Sequence, residues 1–276
     1  MTKDRFQSLL INQGLHHSIA DYIDESWYEI FENLLPELKE VFSKLHEETL
    51  ETDIGQVHRK RNTKVIYPTD TLILRAFKLC KLTNLKCIWM LQDPYHDGSA
   101  VGLCLDNTIG RKVSPSLKNV LNELLEDDVE LDNTEGKKTL LEHLPSQGVL
   151  LLNTALTVEK GKPDSHLEIW KPFTRKLLEL LGKQEQLIWC LWGAKALAYR
   201  DIIEKQQNID KIGVDKTETE FILYPIRSKQ RFIISSHPSP LGANKPMQGY
   251  PAFIGSKPFS RVNKYLKEWD KIEIKW

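Results

Sequence analysis

Lys86-Cys87-Ile88-Trp89-Met90-Leu91-Gln92-Asp93-Pro94-Tyr95-His96 is the stretch from which the fold is read. Its first six residues are almost unbroken apolar, and a proline-fixed turn follows at once. A strand with one wet face alternates apolar and polar residues. A strand covered on both faces is apolar throughout, as in parallel sheets. Three further runs repeat the design: Gly148–Asn153 (GVLLLN), Leu187–Trp192 (LIWCLW) and Arg231–Ser236 (RFIISS). Helical spacing separates them, in Leu117, Val120, Leu121, Leu124 and Leu125, in Trp170, Phe173, Leu177 and Leu181, and in Phe259, Val262, Leu266 and Trp269. Strands alternating with helices predict an α/β fold with a central four-stranded parallel sheet flanked by helices on both faces.

Upstream, about residues 1–62 read as helical. Trp27, Ile30, Phe31, Leu34 and Leu38 line one face, and Pro36 either breaks or restarts a helix there. No repeat or low-complexity segment divides the chain, so residues 1–276 are expected to form a single domain. Apolar residues make up 41 % and charged residues 28 %, the profile of a globular protein. Lysine plus arginine (38) equals aspartate plus glutamate (38), which argues against coating nucleic acid by bulk charge but leaves room for one basic face. Cys80, Cys87, Cys104 and Cys190 form no CxxC pair and stand at no zinc-ligand spacing, so reduced, buried thiols are expected. No apolar run reaches membrane-span length, and Met1-Thr2-Lys3-Asp4-Arg5 shows no secretory pattern. His16-His17 looks like a metal pair but has no acidic or cysteine partner nearby and is read as a surface feature.

Each strand ends in a motif. Gln92-Asp93-Pro94-Tyr95-His96 follows the first, Asn153-Thr154 closes the second, Gly193-Ala194-Lys195 follows the third, and His237-Pro238-Ser239-Pro240-Leu241 follows the fourth. Open α/β sheets bind ligands at the carboxyl ends of their strands. Asp93, Asn153 and His237 are therefore expected in one crevice. An acid can orient water and stabilise a developing cation, an amide can read an amide-like edge, and an imidazole can hold an oxygen that becomes negative. Taken singly, each has a plainer reading: Asp93 as a turn initiator, Asn153 as a turn residue, His237 as a hydrogen-bonded loop histidine. The functional reading rests on three motifs at successive strand ends.

Val65-Ile66-Tyr67-Pro68, QDPYH at 92–96, Ser114-Pro115-Ser116-Leu117, the run from Gly148 to Val158 and HPSPL at 237–241 together resemble family-1 uracil-DNA glycosylase, over about Trp27 to Leu266. The resemblance implies an enzyme that flips uracil out of DNA and hydrolyses its bond to the sugar. Asp93 would position water and stabilise an oxocarbenium-like sugar, and a neutral His237 would donate to uracil O2. Asn153 would read the N3–H and O4 edge, the backbone at Gln92 would help hold O2, and Tyr95 would exclude a C5 methyl group. Leu241 would fill the gap left by the flipped base, and Ser116 and Ser239 would contact phosphates, Ser116 opening a predicted helix. The implied partner is uracil-containing DNA, met by a monomer with no membrane, metal or cofactor. The implied location is cytoplasmic in a bacterium or a virus-infected cell, and nuclear in a eukaryote.

The chain also departs from that pattern. Leu91 stands where the family has glycine, Val101 where histidine is common, and Leu105 where a phenylalanine stacks on uracil. Gly193-Ala194 replaces a glycine-serine pair and Gly242 replaces a serine, while 207–230 and 243–252 look extended. Two alternatives stay open on this evidence: a weak family member that binds DNA or protein, and a glycosylase for another modified pyrimidine.

Overall fold

The computed structural model describes residues 1–49, 64–107, 112–132, 139–206 and 230–276. Its strands are β1 (Ile66–Tyr67), β2 (Cys87–Leu91), β3 (Val149–Asn153), β4 (Val158–Glu159), β5 (Ile188–Trp192) and β6 (Arg231–Ser235). The four apolar runs of the sequence are β2, β3, β5 and β6, each within a residue of its expected bounds. They form one parallel sheet in the order β3-β2-β5-β6. Every residue of β2, β3 and β5 is buried. Side chains alternate between faces, so full burial means that both faces are covered.

Aromatic packing supplies much of that cover. Trp89 of β2 meets Trp192 of β5 at 4.8 Å and Trp276 at 5.8 Å between ring centroids, and Phe259 closes on Trp276 at 5.0 Å. Phe31, Phe77 and Phe173 form a second cluster joining the N-terminal helices to the Leu167–Leu181 helix. Trp27, Phe31, Leu34 and Leu38 are buried as their spacing implied, and Ile30 is half-buried. Pro36 restarts a helix: Tyr28–Glu32 ends, and Leu35–Thr49 begins with the proline in its first turn, where its missing N–H costs nothing. Residues 50–62 of the expected helical part lie outside the described residues, as do 207–229 of the extended segment.

The Pro115–Glu126 helix carries part of the future site and is held from both sides. Ser114 caps it, accepting from Leu117 N at 3.1 Å, a bond worth about 1 kcal/mol. The helix therefore opens at Pro115 with Ser114 as its cap, and Ser116 sits one residue inside, which corrects the expectation that Ser116 opens it. Farther along, Glu123 accepts from Gly255 N (2.7 Å) and Lys257 N (2.9 Å), and Asp127 accepts from Phe259 N (2.7 Å) and Ser260 N (3.0 Å). Asp127 thereby satisfies two orphan donors in the first turn of the Pro258–Glu268 helix, where negative charge is favoured by ~0.3–1 kcal/mol, and Glu123 fixes the turn that leads into it.

The register brings the strand ends level. Leu91 pairs with Asn153 and Trp192 with Ser235, so Asp93, Asn153 and His237 all emerge at one edge of the sheet. From β2 the chain steps to β3 on one side and later to β5 on the other. That reversal is the switch point where α/β sheets leave a crevice. The β1–β4 ribbon, pairing Ile66 with Glu159 and Tyr67 with Val158, adds a small antiparallel piece that the sequence pattern did not announce. All four cysteines are buried and free. Among the described residues, no helix is long and apolar enough to cross a membrane.

Candidate active site

A cleft of about 220 Å³ opens at this edge, and Gln92, Asp93, Tyr95, Leu105, Ser116, Asn153 and His237 all line it. Ser239 and Leu241 stand outside it, on the loop that continues from His237. A roomier cleft of about 730 Å³ lies among the N-terminal helices. Its lining combines histidines and an aspartate with no side-chain amide and lies away from the strand ends, so chemistry rather than volume selects the smaller one.

Asn153 ends β3 and is only 6 % exposed, with no hydrogen-bond partner at its Oδ1 among the described residues. Leaving a buried acceptor unpaired costs about 1–3 kcal/mol. A cost of that size at a cleft wall marks a group kept for a ligand that brings a donor. His237 is fixed differently: its Nδ1 accepts from Ser239 N at 2.9 Å. That donor assigns the proton of the neutral ring to Nε2. Burial pushes the His237 pKa down, which keeps the ring neutral at pH 7. The ring packs on Gly193, whose φ of +100° favours glycine and where a Cβ would come within 3.1 Å of the histidine Cβ.

Asp93 follows β2 directly. Its Oδ2 accepts from the backbone N–H of Asp164 at 2.7 Å, and its Oδ1 accepts from Gln92 Nε2 at 3.2 Å. Burial pushes its carboxyl above the ordinary range, and these two bonds with Lys195 pull the other way. The Gln92 carbonyl is held by Ala155 N (2.9 Å) and Thr154 Oγ1 (2.8 Å), which locks the turn onto the end of β3.

Tyr95 is clamped at its phenol. The hydroxyl donates to the Leu105 carbonyl at 2.9 Å and lies 2.5 Å from Ser114 Oγ. Burial pushes this phenol up to about 12, so it keeps its proton and remains a donor. Leu105 is buried with φ +63°, a left-handed backbone that costs a leucine about 1–2 kcal/mol. The Tyr95 bond to its carbonyl helps hold it there. Next to it, Asp106 is wholly buried in the cleft wall and accepts from Asn107 N (3.0 Å), Leu141 N (3.3 Å) and the Thr139 hydroxyl. Burial pushes its carboxyl up to about 6 against those bonds.

The loop after β6 presents the remaining residues. The Ser236 hydroxyl donates to Gly242 O and accepts from Phe253 N, both at 2.9 Å, so the segment between them closes on itself. Asn119 of the Pro115–Glu126 helix donates to Pro238 O at 2.8 Å. Ser239 is half-buried, its carbonyl accepting from Gly242 N and Ala243 N. On this braced frame Leu241 is 84 % exposed. At Gly242 a Cβ would stand 2.9 Å from the His237 carbonyl, so glycine there permits a close turn that a serine would have to open.

Sequence reasoning did not select Ser114, Asp106 or Asp164. Ser114 was visible only as part of a motif. Asp106 had one faint signal, an acid closing the apolar run Gly102–Leu105, and Asp164 had none, since only loop folding carries it to Asp93.

The profile of the Uracil DNA glycosylase superfamily matches residues 77–267. The chain is 34 % identical over 257 residues to the uracil-DNA glycosylase of Pseudomonas paraeruginosa, spanning 92 % of this chain and 94 % of that one. It is 36 % identical over 223 residues to that of Saimiriine herpesvirus 2, spanning 80 % and 79 %. Among solved structures it is similar to a variant of mimivirus UNG in complex with UGI, with a TM-score of 0.72, 20 % identity and coverage of 92 % and 89 %. It is also similar to the UNG of Nitratifractor salsuginis, with a TM-score of 0.51, 20 % identity and coverage of 86 % and 90 %. At such identities these two structures speak for the fold, and the sequence matches carry the kinship: the chain belongs to the uracil-DNA glycosylase superfamily.

Proposed function

We infer that this protein excises uracil from DNA, hydrolysing the N-glycosidic bond and leaving an abasic site. The observation that carries this is the cleft in which an unpaired Asn153 oxygen, an imidazole with its Nδ1 already taken and a carboxylate oriented by Asp164 N and Gln92 Nε2 line one space. The kinship of the chain supports the same activity.

Uracil is read by complementarity. Asn153 Oδ1 accepts from N3–H and its amide N–H donates to O4. Bond breaking leaves the C1′–N1 electron pair on uracil, and charge gathers on O2. The neutral His237 ring donates there from Nε2 without needing to give up a proton. The sugar becomes cationic, and the Asp93 carboxylate stabilises it and orients the water whose oxygen bonds to C1′. The proton lost from that water passes to the carboxylate and then to solvent. The Tyr95 ring, fixed at its hydroxyl, stands where the methyl of thymine would go. Leu105 supplies apolar contact to the base in place of an aromatic stack, which elsewhere contributes about 1–3 kcal/mol per base. Leu241 enters the space the base vacates, and Ser116 and Ser239 meet flanking phosphates. All these groups come from one chain, which acts as a monomer on DNA and needs no lipid surface.

Base choice tests this directly. Oligonucleotides carrying uracil, thymine or cytosine at one position are incubated with the protein, and free base is measured. Release of uracil alone is expected. Equal release of thymine would remove Tyr95 as the wall, and release of none would remove the activity.

A further inference from the structure

Asp93 has a neighbour that its role does not require. Asp164 lies in the loop between β4 and the Leu167–Leu181 helix, at φ +69°. Its backbone N–H donates to Asp93 Oδ2 at 2.7 Å, and its own carboxylate stands 2.5 Å from Lys195 Nζ. Lys195 comes from just beyond β5, the strand next to β2 in the sheet. Resting on the uracil-releasing reading of the cleft, we infer that Asp164 and Lys195 are a counter-ion pair that positions Asp93 and sets the pH range over which it works.

The loop is built to hold that amide still. Gly161 N donates to His96 O at 3.0 Å and Glu159 N to Ser165 Oγ at 2.8 Å. Thr157 Oγ1 lies 2.8 Å from His166 Nδ1 and accepts from Trp170 Nε1 at 2.7 Å, anchoring the far end of the loop in the core. The backbone bond fixes Oδ2 of Asp93, while Oδ1 keeps only the longer bond from Gln92 Nε2 at 3.2 Å. The same closeness puts a second carboxylate beside the first, and like charges at short range favour protonation. Lys195 offsets that charge. Both members of the pair are about half exposed (51 % and 47 %), so solvent screens them and the pair adds little to fold stability. Its consequence falls on the Asp93 carboxylate beside the pair, which burial and Asp164 push up and Lys195 pulls down. The other titratable groups that face the cleft are His237, His96, Tyr95 and Asp106, and they are common to every variant below.

The test titrates Asp93 itself. Protein carrying ¹³C-labelled aspartate is followed by NMR from acid to neutral pH as wild type, Lys195→Met, Asp164→Asn and the double variant, with Asp93→Asn to assign the signal. The pH profile of uracil release is measured alongside. Lys195→Met is expected to move the Asp93 titration and the acid limb of the rate profile to higher pH, with about threefold slower release at the acid end, narrowing as pH rises. Asp164→Asn, which keeps the backbone N–H, is expected to move both to lower pH. The double variant is expected to return near wild type, an outcome that mere loss of packing would not produce. An unmoved Asp93 titration in all four proteins overturns the proposal. So does a Lys195→Met variant in which only KM and its salt dependence change, since that lysine would then serve a DNA phosphate alone. If wild type releases no uracil, the functional reading falls separately, and the NMR titration still decides the pair.

Discussion

The Asn153 carboxamide is held at the end of β3 with an acceptor that none of the described residues satisfies. An amide offers one donor and one acceptor side by side, which matches the O4 and N3–H edge of uracil and mismatches cytosine, whose N4 is a donor. Asn153→Asp replaces the donor with a second acceptor. Uracil release is expected to fall on the order of 10²-fold, and cytosine release to become measurable. The check is free-base release from matched uracil and cytosine oligonucleotides, and continued rejection of cytosine would remove Asn153 from the base-reading edge. At this scale the sequence was informative where a side chain acts from a strand end. Asp93, Asn153 and His237 were legible because strand periodicity predicts where strands stop, and their stops share one edge of the sheet. Asp164 and Asp106 were not, because they reach the site through loop closures and hydrogen bonds that have no period. Leu105 was legible as an apolar contact, while its left-handed backbone was not.

Elements explain how a solvent-facing leucine can do mechanical work. The His237–Leu241 segment is tied at Ser236, Pro238 and Gly242. Leu241 therefore stands out from a rigid turn rather than a slack loop. A wedge must be stiff to replace a base, because extruding one costs a few kcal/mol. Leu241→Ala removes most of the apolar surface that fills the gap. Uracil release from duplex is expected to drop about tenfold, near 1.4 kcal/mol, with single strands far less affected since little stacking is lost there. Equal losses on duplex and single strand would show that the leucine has another task. The long apolar strands were read correctly because burial on both faces leaves an unmistakable run. The β1–β4 ribbon was missed because two residues per strand carry no pattern. The Pro115–Glu126 helix starts one residue ahead of the expected opening at Ser116, because the bond from Leu117 N makes Ser114 its cap.

The whole molecule uses a doubly covered sheet to set three distant stretches of chain at one edge. Its aromatic core makes that edge firm, so the groups that follow β2, end β3 and follow β6 hold their spacing. The balanced charge of 38 basic and 38 acidic residues fits an enzyme that must find one base and then leave the DNA, rather than a protein that coats it. The direct measurement is single-turnover release of free uracil from a deoxyuridine oligonucleotide by wild type and by Asp93→Asn, with oligonucleotide binding measured on both. Expected is full release and an alkali-sensitive site with wild type, and a rate about 10²–10⁴-fold lower in the variant with binding retained. Release at the same rate by both proteins would contradict the assignment of Asp93, and binding without release by wild type would contradict the activity itself.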